Sequence, residues 1–215
     1  WWNYLEIKCV NRDKSQFIAY YNEVSNGQLS INVVESVQVY RMPKTMKNYG
    51  NESQAALEGL IYDAITTAMN STTNPVTQAE LSTYDAVLIV HAGAGEETDL
   101  GDSTYDIWSL YYSNPAGIAE GGAPSYNSAN TCTNCLTATL KDGSKITEAI
   151  LMPQTDTQDG NAIVDPLGVY VHEFGHWLGL PDLYCTDFLC TLDGVGQWSL
   201  MVDGIYNQTG INPYG

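Results

Sequence analysis

Apolar positions along the chain follow two rhythms. From Glu52 to Met69, the residues Leu57, Leu60, Ile61, Ala64, Ile65, Ala68 and Met69 recur at i, i+3 and i+4, which lays one apolar stripe along a helix. Asn51 and Gln54 resemble a capping box ahead of it, and the stripe reads as core rather than as a cofactor site. Gln16 to Asn22 begins another helix, expected to stop near Asn26 and Gly27. Residues 29–40 alternate around Ile31, Val33, Val37 and Val39, which predicts a strand with a bend near Glu35. Tyr84 to Val90 is an unbroken apolar run, expected as a central buried strand that delivers His91 and a Gly-rich turn from Ala92 to Gly95. Lys145 to Met152 predicts a further strand, ended by Pro153. The stretch 114–134, rich in Gly, Pro, Ser, Asn and Ala, reads as a surface loop. A last helix carries its own punctuation: Asp165 as N-cap, Pro166 at the first helical position and Gly179 as a left-handed stop. Helices interleaved with strands place the chain in the α/β class.

Length and composition narrow the picture. The 215 residues suit one domain, or one domain with two lobes, and are enough for a sizeable core. No run is long enough to cross a membrane and no secretory signal is visible, while position 1 is Trp, so a processed or trimmed form is expected. With 25 acids against 8 Lys plus Arg, the formal net charge of −17 argues strongly against nucleic acid and anionic membranes as partners. Calcium binding or an acidic medium accounts for such a surface, and so does plain solubility. Abundant Asn, Thr, Ser, Gly and Tyr suggest export. Cys132 with Cys135, and Cys185 with Cys190, read as local disulfides in that setting, because no second Cys-x-x-Cys exists to complete a zinc ribbon. Cys9 is left over, either paired with a part of the precursor or a free buried thiol.

Chemistry concentrates in residues 171–182. In the last helix His172 and His176 stand four apart, so both imidazoles project from one face and can hold one metal ion. Glu173 is placed to act on a water there. Past Gly179 the chain reverses and can return Asp182 as a third ligand, leaving a position open. Zinc in such a site lowers the pKa of its water to about 7, and Glu173 takes the proton as general base. Peptide hydrolysis is the natural reaction. Elsewhere, Glu96, Glu97, Asp99, Asp102 and Asp106 form an acidic loop cluster that offers calcium ligands but lacks EF-hand spacing. The turn before it matches neither a dinucleotide fingerprint nor a P-loop, and its glycines read as close backbone packing. His91 reads as a structural imidazole.

From His172 to Asp182 the sequence resembles the extended motif of the metzincin metallopeptidases, with Asp182 where most families place a third His, and Met201 resembles their Met-turn. Within that clan the chain is most similar to the M6 family, the immune inhibitor A type. Val90 to Glu97 followed by Asp106 to Ser109, and Tyr20 to Gly27, extend the likeness. The resemblance implies a metzincin-like catalytic domain: a twisted mixed sheet with an active-site helix (residues 1–178) and a smaller, loop-rich C-terminal lobe (residues 179–215). With the end so close to Met201, part of the family's domain is expected to be missing. It implies that Met201 forms an apolar floor below the histidines without binding zinc. It implies that 145–152 is an edge strand on which an extended substrate pairs. Metzincins that add a tyrosine place it two residues after the Met; position 203 is Asp, and Tyr206 is the next candidate donor.

These readings converge on a secreted or cell-surface zinc endopeptidase with a protein or peptide substrate, a propeptide, zinc and a calcium option. A second class of function is an extracellular structural or adhesive protein built on the same fold without peptidase activity. A third is a zinc hydrolase acting on something other than peptides. The intact Glu173 argues against the scaffold, which needs no general base.

Overall fold

The computed structural model describes residues 11–36, 38–50, 53–96, 105–155, 166–184 and 199–202, and its strands form a mixed sheet in the order β1-β3-β2. β1 (Leu88–Ala94) runs parallel to β3 (Glu148–Thr155), while β2 (Leu110–Ser113) pairs antiparallel on the other side. Period-2 alternation divides the sheet into two apolar faces. Ile89, Tyr112, Ala149 and Leu151 turn to the face covered by α3 (Gln54–Met69), whose Leu60, Ile61, Ala64 and Ile65 are buried there. Val90, Ile150 and Met152 turn to the other face, against Tyr170, Val171 and Phe174 of α5 (Leu167–Trp177) and Phe17 and Tyr21 of α1 (Asn11–Val24). Two short helices, α2 (Met46–Tyr49) and α4 (Gln78–Leu81), complete the described α-helices, the latter closed by a capping box between Thr77 and Glu80. The α/β class is therefore observed.

Several expectations are corrected. The segment 29–40 forms no strand among its described residues. Its alternation survives in part as burial: Ile31 and Val33 pack against the α1–α5 cluster while Val39 is exposed, and the segment is tied down by side chains, Gln38 Nε2 donating to Ser71 Oγ at 2.9 Å. Val37 lies outside the described residues. α3 is capped by Ser53, whose Oγ accepts from Ala56 N–H at 3.1 Å, while Asn51 and Glu52 lie outside the described residues. β1 begins later than expected and runs through His91 to Ala94. The turn expected from Ala92 is instead an irregular strand end, where Gly93 at φ 88° absorbs a register shift and keeps β1 paired as far as Thr155. Pro153 does not stop β3; it lies opposite His91, where the register shift begins.

The largest correction concerns β3, expected as the edge strand. It is the middle strand, with Ala149, Ile150, Leu151 and Met152 all 2% exposed or less, and β2 takes the edge. The loop 114–134 is not wholly on the surface. Ile118 and Ala119 are fully buried, drawn in by Glu58 of α3, which accepts from Ala119 N–H at 2.7 Å and Tyr112 Oη–H at 2.7 Å. Cys132 and Cys135 form the expected disulfide, and Cys9, Cys185 and Cys190 lie outside the described residues. Among the described residues no helix is long and apolar enough to cross a membrane.

Candidate metal centre

α5 is fixed before any ligand is considered. Val169, Tyr170, Val171 and Phe174 bury its inner face, Tyr170 Oη donates to Pro153 O at 2.8 Å, and Tyr21 of α1 donates to Val171 O. Pro166 stands at the cap without a side-chain bond; Asp165, expected there, lies outside the described residues. At the other end Gly179 takes φ 91°, as its sequence position predicts. Gly179 N–H reaches His176 O at 2.9 Å and Leu180 N–H reaches Gly175 O at 3.0 Å, which is a Schellman closure. This reversal returns the chain under the helix.

Three ligand atoms converge at that point. His172 Nε2 and His176 Nε2 are 3.1 Å apart, and each is 3.3 Å from Asp182 Oδ1. His172 Nδ1 lies 2.9 Å from Leu200 O, and His176 Nδ1 lies 2.9 Å from Leu180 O. A carbonyl oxygen only accepts, so both Nδ1 atoms carry hydrogen and both Nε2 atoms present lone pairs. Asp182 Oδ1 is buried with no hydrogen-bond donor. In that tautomer the two Nε2 lone pairs and the Asp182 carboxylate oxygen face one another, an arrangement that a bound metal cation relieves. A tetrahedral ion with bonds of about 2.0–2.1 Å has ligand–ligand edges of about 3.3 Å, which these distances match. Burial also holds His172 below the ordinary imidazole range, favouring the neutral form a metal needs. The residues fit a metal.

Glu173 is buried beside them. Its Oε2 accepts from Tyr111 N–H at 2.7 Å, and its Oε1 stands 4.0 Å from His172 Nε2. Met201 is buried against Gly175, on the helical turn between the two histidines, and Met201 O accepts from Leu183 N–H at 2.8 Å. The expected ligands, Glu173 and Met201 are therefore brought together. His91 is fully buried on β1, its Nδ1 3.1 Å from Ala92 O, and is not part of the ligand group. Of the acidic loop cluster, Glu96 and Asp106 are described, Glu96 N–H bonding Ile107 O. Glu97, Asp99 and Asp102 lie outside the described residues, as do Asp203 and Tyr206.

Three contributors escaped the sequence reading. Tyr111 holds Glu173 by its backbone, Glu148 accepts from Tyr111 Oη–H, and Tyr184 sets its hydroxyl against the Asp182 carboxylate. Burial first, then the Asp182 charge, pushes that hydroxyl up to about 12. Only Tyr184 carried a signal, being two residues past a ligand.

The model of the immune inhibitor A peptidase M6 catalytic domain matches residues 7–213. The chain belongs to the M6 peptidase family. A relative named immune inhibitor A, from Bacillus thuringiensis subsp. alesti, is 24% identical over 220 aligned positions, covering 88% of this chain and 28% of its own length. The chain thus spans somewhat over a quarter of that M6 relative. No solved structure matches it. The metallopeptidase family implies a metal, and His172, His176 and Asp182 are where this M6 chain gathers ligands for one.

Proposed function

We propose that the chain is the catalytic domain of a secreted, zinc-dependent endopeptidase, with His172, His176 and Asp182 holding zinc and Glu173 acting as general base. The observation that carries this reading is the Nε2–Nε2–Oδ1 triangle with the Glu173 carboxylate at its side. Two imidazole nitrogens and a carboxylate oxygen at tetrahedral spacing suit zinc. When bound, zinc supplies a Lewis acid that polarises a peptide carbonyl and acidifies water. The chain's own residues do the rest. The carbonyls of Leu200 and Leu180 keep both imidazoles in the ligating tautomer and orientation. Tyr111 N–H fixes one Glu173 oxygen, and the carboxylate so oriented takes a proton from water and passes it to the leaving amine. Substrate lies along β2, the strand at the sheet edge nearest Glu173, where an extended peptide adds by backbone pairing.

The metzincin likeness, the division into lobes at residues 178/179, the propeptide and export belong to the same proposal. The acid-rich, Asn- and Thr-rich composition and the Cys132–Cys135 disulfide support export. The test measures zinc content together with casein cleavage for wild type, Glu173→Ala and a chelated sample. About one zinc per chain, with cleavage lost in the last two, supports the reading. Zinc bound without any cleavage by a correctly processed chain overturns it in favour of the scaffold. Restoring zinc alone, or zinc with calcium, to the chelated sample reports whether the acidic stretch 96–106 adds a second ion requirement.

A further inference from the structure

Glu148 opens β3, at the sheet end where β2 finishes: it pairs with Ser113. Its two carboxylate oxygens serve two different elements. Oε2 accepts from Tyr111 Oη–H of β2 at 2.5 Å, and Oε1 accepts from Trp177 Nε1–H of α5 at 3.0 Å. Among the described residues the ion pairs with Lys side chains are those of Glu35, Asp63 and Asp85, so Glu148 spends its charge on two neutral donors. Such charge-assisted bonds are roughly twice as strong as neutral ones.

Glu173 and Trp177 are four residues apart, so on α5 they lie one above the other on one face. Both are tied to Tyr111. Glu173 accepts from its backbone N–H, and Trp177 is linked to its hydroxyl through Glu148. One residue of the edge strand is therefore held at its main chain and at its side-chain tip by two residues of one helix face. Releasing the tip frees the ring to swing and lets β2 shift along α5. The main-chain bond to Glu173 has to follow it.

We propose that Glu148 is a positioning residue for Glu173, acting through Tyr111 by clamping β2 to the end of α5. The proposal rests on the reading of Glu173 as general base, and its test has an arm independent of that reading. The first arm measures hydrogen exchange of the Tyr111 amide in metal-free wild type, Glu148→Ala, Glu148→Gln and Tyr111→Phe. Exchange at Tyr111 is expected to quicken about tenfold or more in Glu148→Ala and Tyr111→Phe while the Leu60 and Ile61 amides of α3 stay unchanged. Glu148→Gln keeps one acceptor oxygen and should fall between. The second arm measures peptide cleavage and zinc affinity. kcat should fall about 10- to 100-fold in Glu148→Ala, the range seen when partners that orient site residues are removed. KM and the zinc Kd should stay within about threefold, and the double variant with Tyr111→Phe should lose no more than the worse single. Unchanged Tyr111 exchange, additive losses, or a loss carried by zinc affinity overturns the proposal. A wild type that cuts no peptide, or a Glu173→Ala that cuts normally, overturns the peptidase reading instead, and the exchange arm then decides the clamp alone.

Discussion

Gly175 sits between His172 and His176, inside a helix, where Ala is favoured over Gly by about 1 kcal/mol. The reason for Gly is space. A Cβ on residue 175 would stand 2.8 Å from Met201 Sδ, 3.4 Å from Met201 Cε and 3.6 Å from Leu180 Cδ1. Non-bonded heavy atoms prefer about 3.5–4.0 Å, so Gly175→Ala must drive the thioether back by more than half an ångström. Overpacking of this kind costs about 1–3 kcal/mol, so after the helix gain the variant should range from neutral to about 2 kcal/mol destabilised. Met201→Ala, taken alone, empties a buried site and should cost about 2–5 kcal/mol. In the double variant the new methyl enters the space Met201 leaves, so the clash disappears and the helix gain survives. The double should therefore be more stable than the sum of the singles by about 1–3 kcal/mol. Denaturant unfolding of the four metal-free proteins, followed by circular dichroism, measures the cycle. A Gly175→Ala protein stabilised by the full helix increment, or a strictly additive double variant, refutes the packing argument.

Other expectations follow from single groups. Burial holds His91 down at about 4 against 6.5 when exposed, so below pH 6.5 the unfolded chain binds a proton that the folded chain refuses. Its contribution is complete above pH 6.5, falls as pH drops toward 4 and then levels, a loss of roughly 3 kcal/mol. His91→Gln should flatten that part of the metal-free stability profile, and an unaltered slope contradicts it. Glu58→Ala strands the Tyr112 hydroxyl and the Ala119 amide without an acceptor, about 1–3 kcal/mol each. Thermal unfolding should show a large drop, and a neutral result means the loop rearranges to satisfy them. Tyr184→Phe removes the hydroxyl beside Asp182 and should weaken zinc about 10- to 100-fold in a chelator competition, with the metal-free stability unchanged.

What could be read from sequence was what is local. His172, Glu173, His176 and Gly179 sit within eight consecutive residues, and helical period plus one left-handed stop place them correctly. The return of Asp182 followed from the same turn. Tyr111 and Glu148 were invisible because their roles depend on strand order: they meet α5 across separations of 62 and 29 residues. The misassigned edge had a signal. Ala149 to Met152 is apolar without alternation, the pattern of a strand covered on both faces, whereas β2 is only four residues long and polar at Ser113. In 29–40 the alternation reported burial at Ile31 and Val33 but not at Val39, and periodicity alone does not say whether a neighbouring strand is there to pair with.

The Schellman closure at Gly179 does more than end α5. The carbonyl that steadies His176 belongs to Leu180, and the Leu180 amide is itself part of the closure. If the site holds an ion as proposed, fraying of the last turn would loosen His176, so ion affinity and local unfolding would be thermodynamically linked. Every tenfold that the ion is present above its Kd adds about 1.4 kcal/mol against opening of that turn. With an ion held as proposed, the helix terminus would gauge ion occupancy, softening when the ion leaves and stiffening when it returns. Proteolytic nicking after residue 178 would follow the free ion concentration rather than the stability of the domain as a whole.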